Sequence, residues 1–175
     1  MNSLLAAGTS PEFALPSIEY RLISPILLVL GMAVISVLVE AFVPRAHRRV
    51  VQLVLTFSTL IVALILVVAL AGQRAVTAAG SRAVDGPALF MQGTLLVLAL
   101  MAALLVAERG VDPAGDAFAA RANALPGSID EREFTKRGWL TTEVWCLFLF
   151  SVGGMMLFVT GTDLLILFVA LEIMS

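Results

Sequence analysis

Residues 22–43 read LISPILLVLGMAVISVLVEAFV, a run whose one ionisable side chain, Glu40, lies within a turn of its end. An α-helix rises about 1.5 Å per residue, so such a run is long enough for a hydrocarbon core of about 30 Å. Lipid is therefore the solvent this segment requires. Pro25 falls in the first turn of the span, where a missing amide hydrogen is tolerated, and Pro44 closes it.

Working outward, the same pattern recurs at residues 50–71, 88–107 and 139–159, and a last run, 163–175, is still apolar at Ser175. Over the whole chain 60% of residues are hydrophobic and 14% charged, against roughly 45–50% and about 25% in soluble domains. The fold class that follows is all-α: a polytopic membrane helix bundle with four full transmembrane helices and the start of a fifth. A helix cut off inside the bilayer cannot span it, so the chain is expected to be the first part of a longer protein.

Between the runs the composition changes. Residues 1–21 form a leader with Glu12 and Glu19 and no Lys or Arg before Arg21. Its short apolar stretch is no signal-peptide core, so it is expected to stay on the mature protein. Arg45, His47, Arg48 and Arg49 form a tight basic turn between the first two spans. Residues 72–87 hold Gly, Ser, Thr, Arg and Asp and read as a loop. Residues 108–138 are the long polar segment, with Arg109, Arg121, Arg132, Lys136 and Arg137 among acidic residues. Basic residues favour cytoplasmic connections. The first and third connections carry most of them, which puts 108–138 in the cytoplasm and the N-terminus outside. Trp139 and Trp145 suit a membrane interface.

Several function classes drop out. The net charge of -2 comes from scattered residues, with no tract for nucleic acid. The chain has one cysteine, Cys146, and one histidine, His47, in different segments. That inventory builds no disulfide, metal site, haem or iron–sulfur centre. No glycine-rich nucleotide fingerprint is present. No cofactor is expected in this chain, and any redox chemistry belongs to others. Ten Arg to one Lys, with abundant Ala and Val, points to a GC-rich bacterial genome and so to a bacterial plasma (inner) membrane.

Three carboxylates remain as candidates. Glu40 and Glu143 lie near span ends and reach interfacial water, where long side chains snorkel. Glu172 lies nine residues after Asp163, or about 13 Å into the membrane. An ionisable group at that depth costs at least about 2.5 kcal/mol and marks a functional site by default. The plain alternative is a neutral helix–helix contact. Gly153 and Gly154 are read as a place where neighbouring helices approach closely.

The stretch 142–175, TEVWCLFLFSVGGMMLFVTGTDLLILFVALEIMS, resembles the fourth and fifth helices of the antiporter-like subunits of respiratory complex I. The likeness is greatest to subunit N of NADH-quinone oxidoreductase. The matching features are Glu143, the Gly153-Gly154-Met155 step, the turn at 161–163, and Leu167-Phe168 followed by Leu171-Glu172 and Ser175. Upstream, VDGPALF at 84–90 is similar to the family's entry into its third helix. The resemblance implies a proton-translocating subunit that couples electron transfer from NADH to quinone with pumping. Glu172 would be its buried proton-carrying glutamate, with Glu143 as a further candidate. It also implies a cationic partner on a later helix, neighbouring membrane-arm subunits, and FMN, iron–sulfur clusters and quinone held by partner subunits. The loop at 108–138 is longer than the family's. Related alternatives are a cation/proton antiporter subunit, an energy-converting hydrogenase, and a structural scaffold in which Glu172 only packs.

Overall fold

The computed structural model describes residues 19–73, 75–77, 82–108 and 143–175. The leader up to residue 18, the polar segment from Arg109, Lys136 and Trp139 lie outside them. Among the described residues there are five helices: α1 (Tyr20–Phe42), α2 (Arg45–Ala69), α3 (Gly86–Ala107), α4 (Glu143–Phe158) and α5 (Leu164–Met174). The first three are each long and apolar enough to cross a membrane, while α4 and α5 are shorter apolar helices of 16 and 11 residues. The fold is the expected all-α membrane bundle, with a small ribbon added. The protein is a multi-pass membrane protein.

Because α1 begins at Tyr20, Pro25 lies in its second turn rather than its first. A proline there deprives the carbonyl four residues back, that of Arg21, of its helical partner. The Ser24 hydroxyl donates to that carbonyl at 2.8 Å instead, and the helix runs on. Serine and threonine side chains are the usual rescue for proline in a membrane helix.

The basic run is not a connecting turn. It forms the first turns of α2, and only Val43 and Pro44 separate the two helices. Pro44 takes the N-cap position with φ -58° and ψ 141°, and its carbonyl accepts from the His47 and Arg48 amides at 3.0 and 3.2 Å. A fixed φ and no N–H to satisfy make proline compatible with a helix start. Cations at a helix N-terminus oppose its macrodipole. Two of these arginines are answered elsewhere: Arg48 pairs with Glu40, and Arg49 donates to the Ala107 carbonyl at the C-terminal end of α3, where a cation is favoured.

The segment expected as a loop contains structure. Gly72, at φ 83°, turns the chain out of α2 in a conformation that other residues rarely adopt. Strands β1 (Ala75–Thr77) and β2 (Arg82–Val84) then pair antiparallel, Ala75 opposite Val84 and Thr77 opposite Arg82. The Ala83 amide donates to the Thr160 carbonyl at 3.0 Å, which ties the ribbon to the connection between α4 and α5. Asp85 caps α3 by accepting from the Ala88 amide at 2.9 Å, with Pro87 in the first turn.

Helix α1 packs against α2 and α4, α2 against α3, and α5 against α4. Val29, Ala33, Leu60, Ala63, Leu96, Leu149, Val152 and Met156 are fully buried between them. The outside is apolar as well: Phe90, Leu105 and Leu164 are among the most exposed side chains. That inverts the soluble pattern and agrees with a lipid-facing surface.

Candidate functional sites in the membrane domain

Helix α5 is positioned by two features. Asp163 stands at its N-cap and accepts from the Leu165 amide at 3.4 Å. Gly154 of α4 then lets the backbones meet: a Cβ added there would lie 3.0 Å from the Ala170 carbonyl oxygen and 2.8 Å from the Met174 amide nitrogen. Ala170 is fully buried. At 100° per residue, Glu172 lies on the opposite side of α5 from Ala170 and Met174, in one stripe with Leu165 and Phe168, and all three are exposed. Among the described residues the Glu172 carboxylate has no cation or hydrogen-bond donor, Ser175 included. Its chemistry faces outward, away from the packed face of α5.

Glu143 stands exposed in the first turn of α4, where its negative charge suits the helix N-terminus. Its backbone carbonyl accepts from the Cys146 thiol at 2.8 Å. Glu143 and Glu40 both lie within electrostatic reach of that thiol, so the α1 and α4 carboxylates share one end of the bundle. Glu172 is not part of that group. Among the described residues no three His, Cys, Asp or Glu side chains gather as a metal-holding set.

At the same end Glu40 belongs to a connected polar group along the α1–α2 seam, whose buried members Ser36 and Gln52 were not among the candidate residues read from the sequence. Arg48 holds Glu40 Oε1 through its Nη1 at 2.8 Å, and donates to the Val43 carbonyl from Nε and Nη2 at 3.2 and 3.0 Å. The guanidinium thus ties the charge of Glu40 to the C-terminal end of α1. Gln52 comes next: its amide nitrogen donates to the Ser36 carbonyl at 2.8 Å and to Glu40 Oε2 at 3.3 Å. The Ser36 hydroxyl donates back to Gln52 Oε1 at 2.6 Å. Ser36 and Gln52 are completely buried. A signal for them was present. In an antiparallel hairpin that reverses at Pro44, residues equally distant from it meet, and Glu40–Arg48 and Ser36–Gln52 are both such pairs.

Further along, the buried polar groups thin out. Thr59 returns its hydroxyl to the Leu55 carbonyl at 2.7 Å, while Gln92 of α3 reaches the Met156 carbonyl at 3.4 Å near the opposite end. Apolar Leu60, Ala63 and Val67 fill the buried face of α2 toward that end.

No family model matches the chain. Relatives do. The subunit N of NADH-quinone oxidoreductase from Salinispora arenicola is 49% identical over 164 residues, covering 94% of this chain. The Parafrankia subunit N is 47% identical over 173 residues, or 99% of this chain, and the Rhodococcus opacus one is 48% identical over 179, or 91%. The chain spans about a third of the length of each, 32%, 33% and 33% respectively. Identity at this level along nearly the whole chain, in a bundle of apolar helices, places the chain in the subunit N family of NADH-quinone oxidoreductase.

Proposed function

We propose that the chain is part of a proton-translocating, antiporter-like membrane subunit of an NADH-quinone oxidoreductase, with Glu172 as the group that takes up and releases the proton. The observation that carries this reading is a carboxyl on an otherwise apolar membrane helix, turned away from the helix that packs behind it. A side chain with no functional duty at that depth would be apolar. Its outward direction leaves room for a cation on a helix of a longer subunit, and the relatives' threefold greater length supports such a helix. Hydrocarbon favours a neutral carboxyl, and an ammonium beside it favours the ionised one. Moving the cation therefore loads or unloads the proton, with no redox group in this chain. FMN, iron–sulfur clusters and quinone belong to partner subunits in this reading, and the neighbours are other membrane-arm subunits. The membrane is the bacterial inner membrane, with the N-terminus outside and the segment 108–138 in the cytoplasm.

The test is Glu172→Gln in the full-length subunit, which keeps shape and polarity and removes titration. With assembly verified in the same membranes, proton translocation is expected to fall sharply and NADH–quinone electron transfer to slow with it. Undiminished pumping per electron in an assembled Gln variant would leave Glu172 a packing residue and favour a scaffold role.

A further inference from the structure

Thr56, one helical turn beyond Gln52, is completely buried, and among the described residues its hydroxyl has no hydrogen-bond partner. Threonine in a helix ordinarily returns its hydroxyl to the carbonyl four residues back. Thr59, three residues on, does so, and Thr56 does not. Nor does the facing helix help. Extending the pairing about Pro44 by one turn sets Thr56 level with Met32 and Ala33, whose side chains bring no donor and no acceptor stronger than a thioether, and the Thr56 hydroxyl reaches no backbone carbonyl of the described residues either. Buried hydroxyls in native structures are nearly always satisfied, by protein or by an ordered water.

The spacing fits a water. Thr56 stands one turn, about 5.4 Å, along α2 from Gln52, and one water making two hydrogen bonds of about 2.8 Å each links groups a turn apart. The polar atoms waiting at the far side are the Ser36 hydroxyl and Gln52 Oε1, both with lone pairs beyond the bond they share. We propose that Thr56 binds an internal water that bridges it to the Ser36–Gln52 pair. The α1–α2 seam is then a hydrated polar file that begins at Glu40 and Arg48 and reaches Thr56. Thr56 lies eleven residues from the start of α2, about 16 Å along the helix. The file ends there against Leu60 and Ala63. It is separate from Glu172, which sits on the outward face of α5.

Millisecond X-ray radiolysis of the assembled complex in its membranes tests this, because it makes hydroxyl radicals from bound water in place and leaves oxidised side chains for mass spectrometry. The probe is the water itself. Leu55 and Phe57, which flank Thr56, are expected to be oxidised well above Leu64 and Leu66 of the same helix. Thr56→Val should bring them down to that lower level and Thr56→Ser should not. Thr56→Ala serves if the valine variant does not assemble. Equal oxidation at both pairs of residues in the native protein, or an excess that survives loss of the hydroxyl, overturns the proposal. The readout needs no turnover, so its outcome is independent of the role given to Glu172.

Discussion

Adjacent glycines in α4 give a matched pair of perturbations. In Gly154→Ala the new methyl would meet backbone: the Met174 amide nitrogen at 2.8 Å and its Cα at 3.1 Å, where ordinary contact begins at 3.4 Å. Neither atom can turn aside, so α5 must retreat from α4 by about half an ångström, and overpacking of this kind costs about 1–3 kcal/mol. In Gly153→Ala the methyl meets Leu30, whose Cγ lies at 2.9 Å. That side chain is only partly buried and can change rotamer, so the expected cost is smaller, about 0.5–1.5 kcal/mol. Glu172 lies between Ala170 and Met174 on the helix that is displaced. Gly154→Ala should therefore lower both the heat resistance of the assembled complex and its proton translocation, while Gly153→Ala leaves translocation near the native value. The assay compares the two variants in the full-length subunit, with blue-native gels after stepwise heating and proton uptake by membrane vesicles. Equal behaviour of the two would refute the claim that backbone contact at Gly154 sets the position of α5.

Arg48→Met removes the ion pair with Glu40 and both bonds to the Val43 carbonyl; with side-chain exposures of 21% and 15% the pair is largely shielded from solvent. The expected loss is about 1.5–3 kcal/mol, the range for hydrogen bonds to charged groups, read as earlier release of the subunit on heating. Glu40→Gln, which can still accept from Arg48 and Gln52, should lose less. Asp85→Ala removes the N-cap of α3 and should cost about 1 kcal/mol, whereas Asp85→Asn should be near native in the same assay. Tags at the N-terminus and near Gly80 should be reached by an impermeant reagent outside intact cells, and a tag near Asp116 only after the membrane is opened; labelling of the Asp116 tag in intact cells would reverse the orientation.

What the sequence determined by itself was the solvent and the helices. Uninterrupted apolar runs can satisfy their backbone groups in lipid only as helices, so residues 22–43 and 88–107 identify themselves without any knowledge of their neighbours. The carboxyl of Glu172 stood out for the same reason, since an ionisable residue deep in an apolar run is costly wherever the helix is placed. The close approach at Gly154 was legible from the glycine pair. Composition could not settle events at helix ends. The basic run 45–49 looks like a turn because it is polar, yet Pro44 starts a helix there and Glu40 and the Ala107 carbonyl take up the charge. Residues 75–84 look irregular because strand pairing depends on what the ribbon docks against, here the Thr160 carbonyl. Only the tertiary structure decided which faces meet. It turned Glu172 away from α4 and drew Ser36, Gln52 and Glu40 into one network. Both outcomes depend on contacts between helices, which lie far apart in sequence and are fixed by packing rather than by local preference.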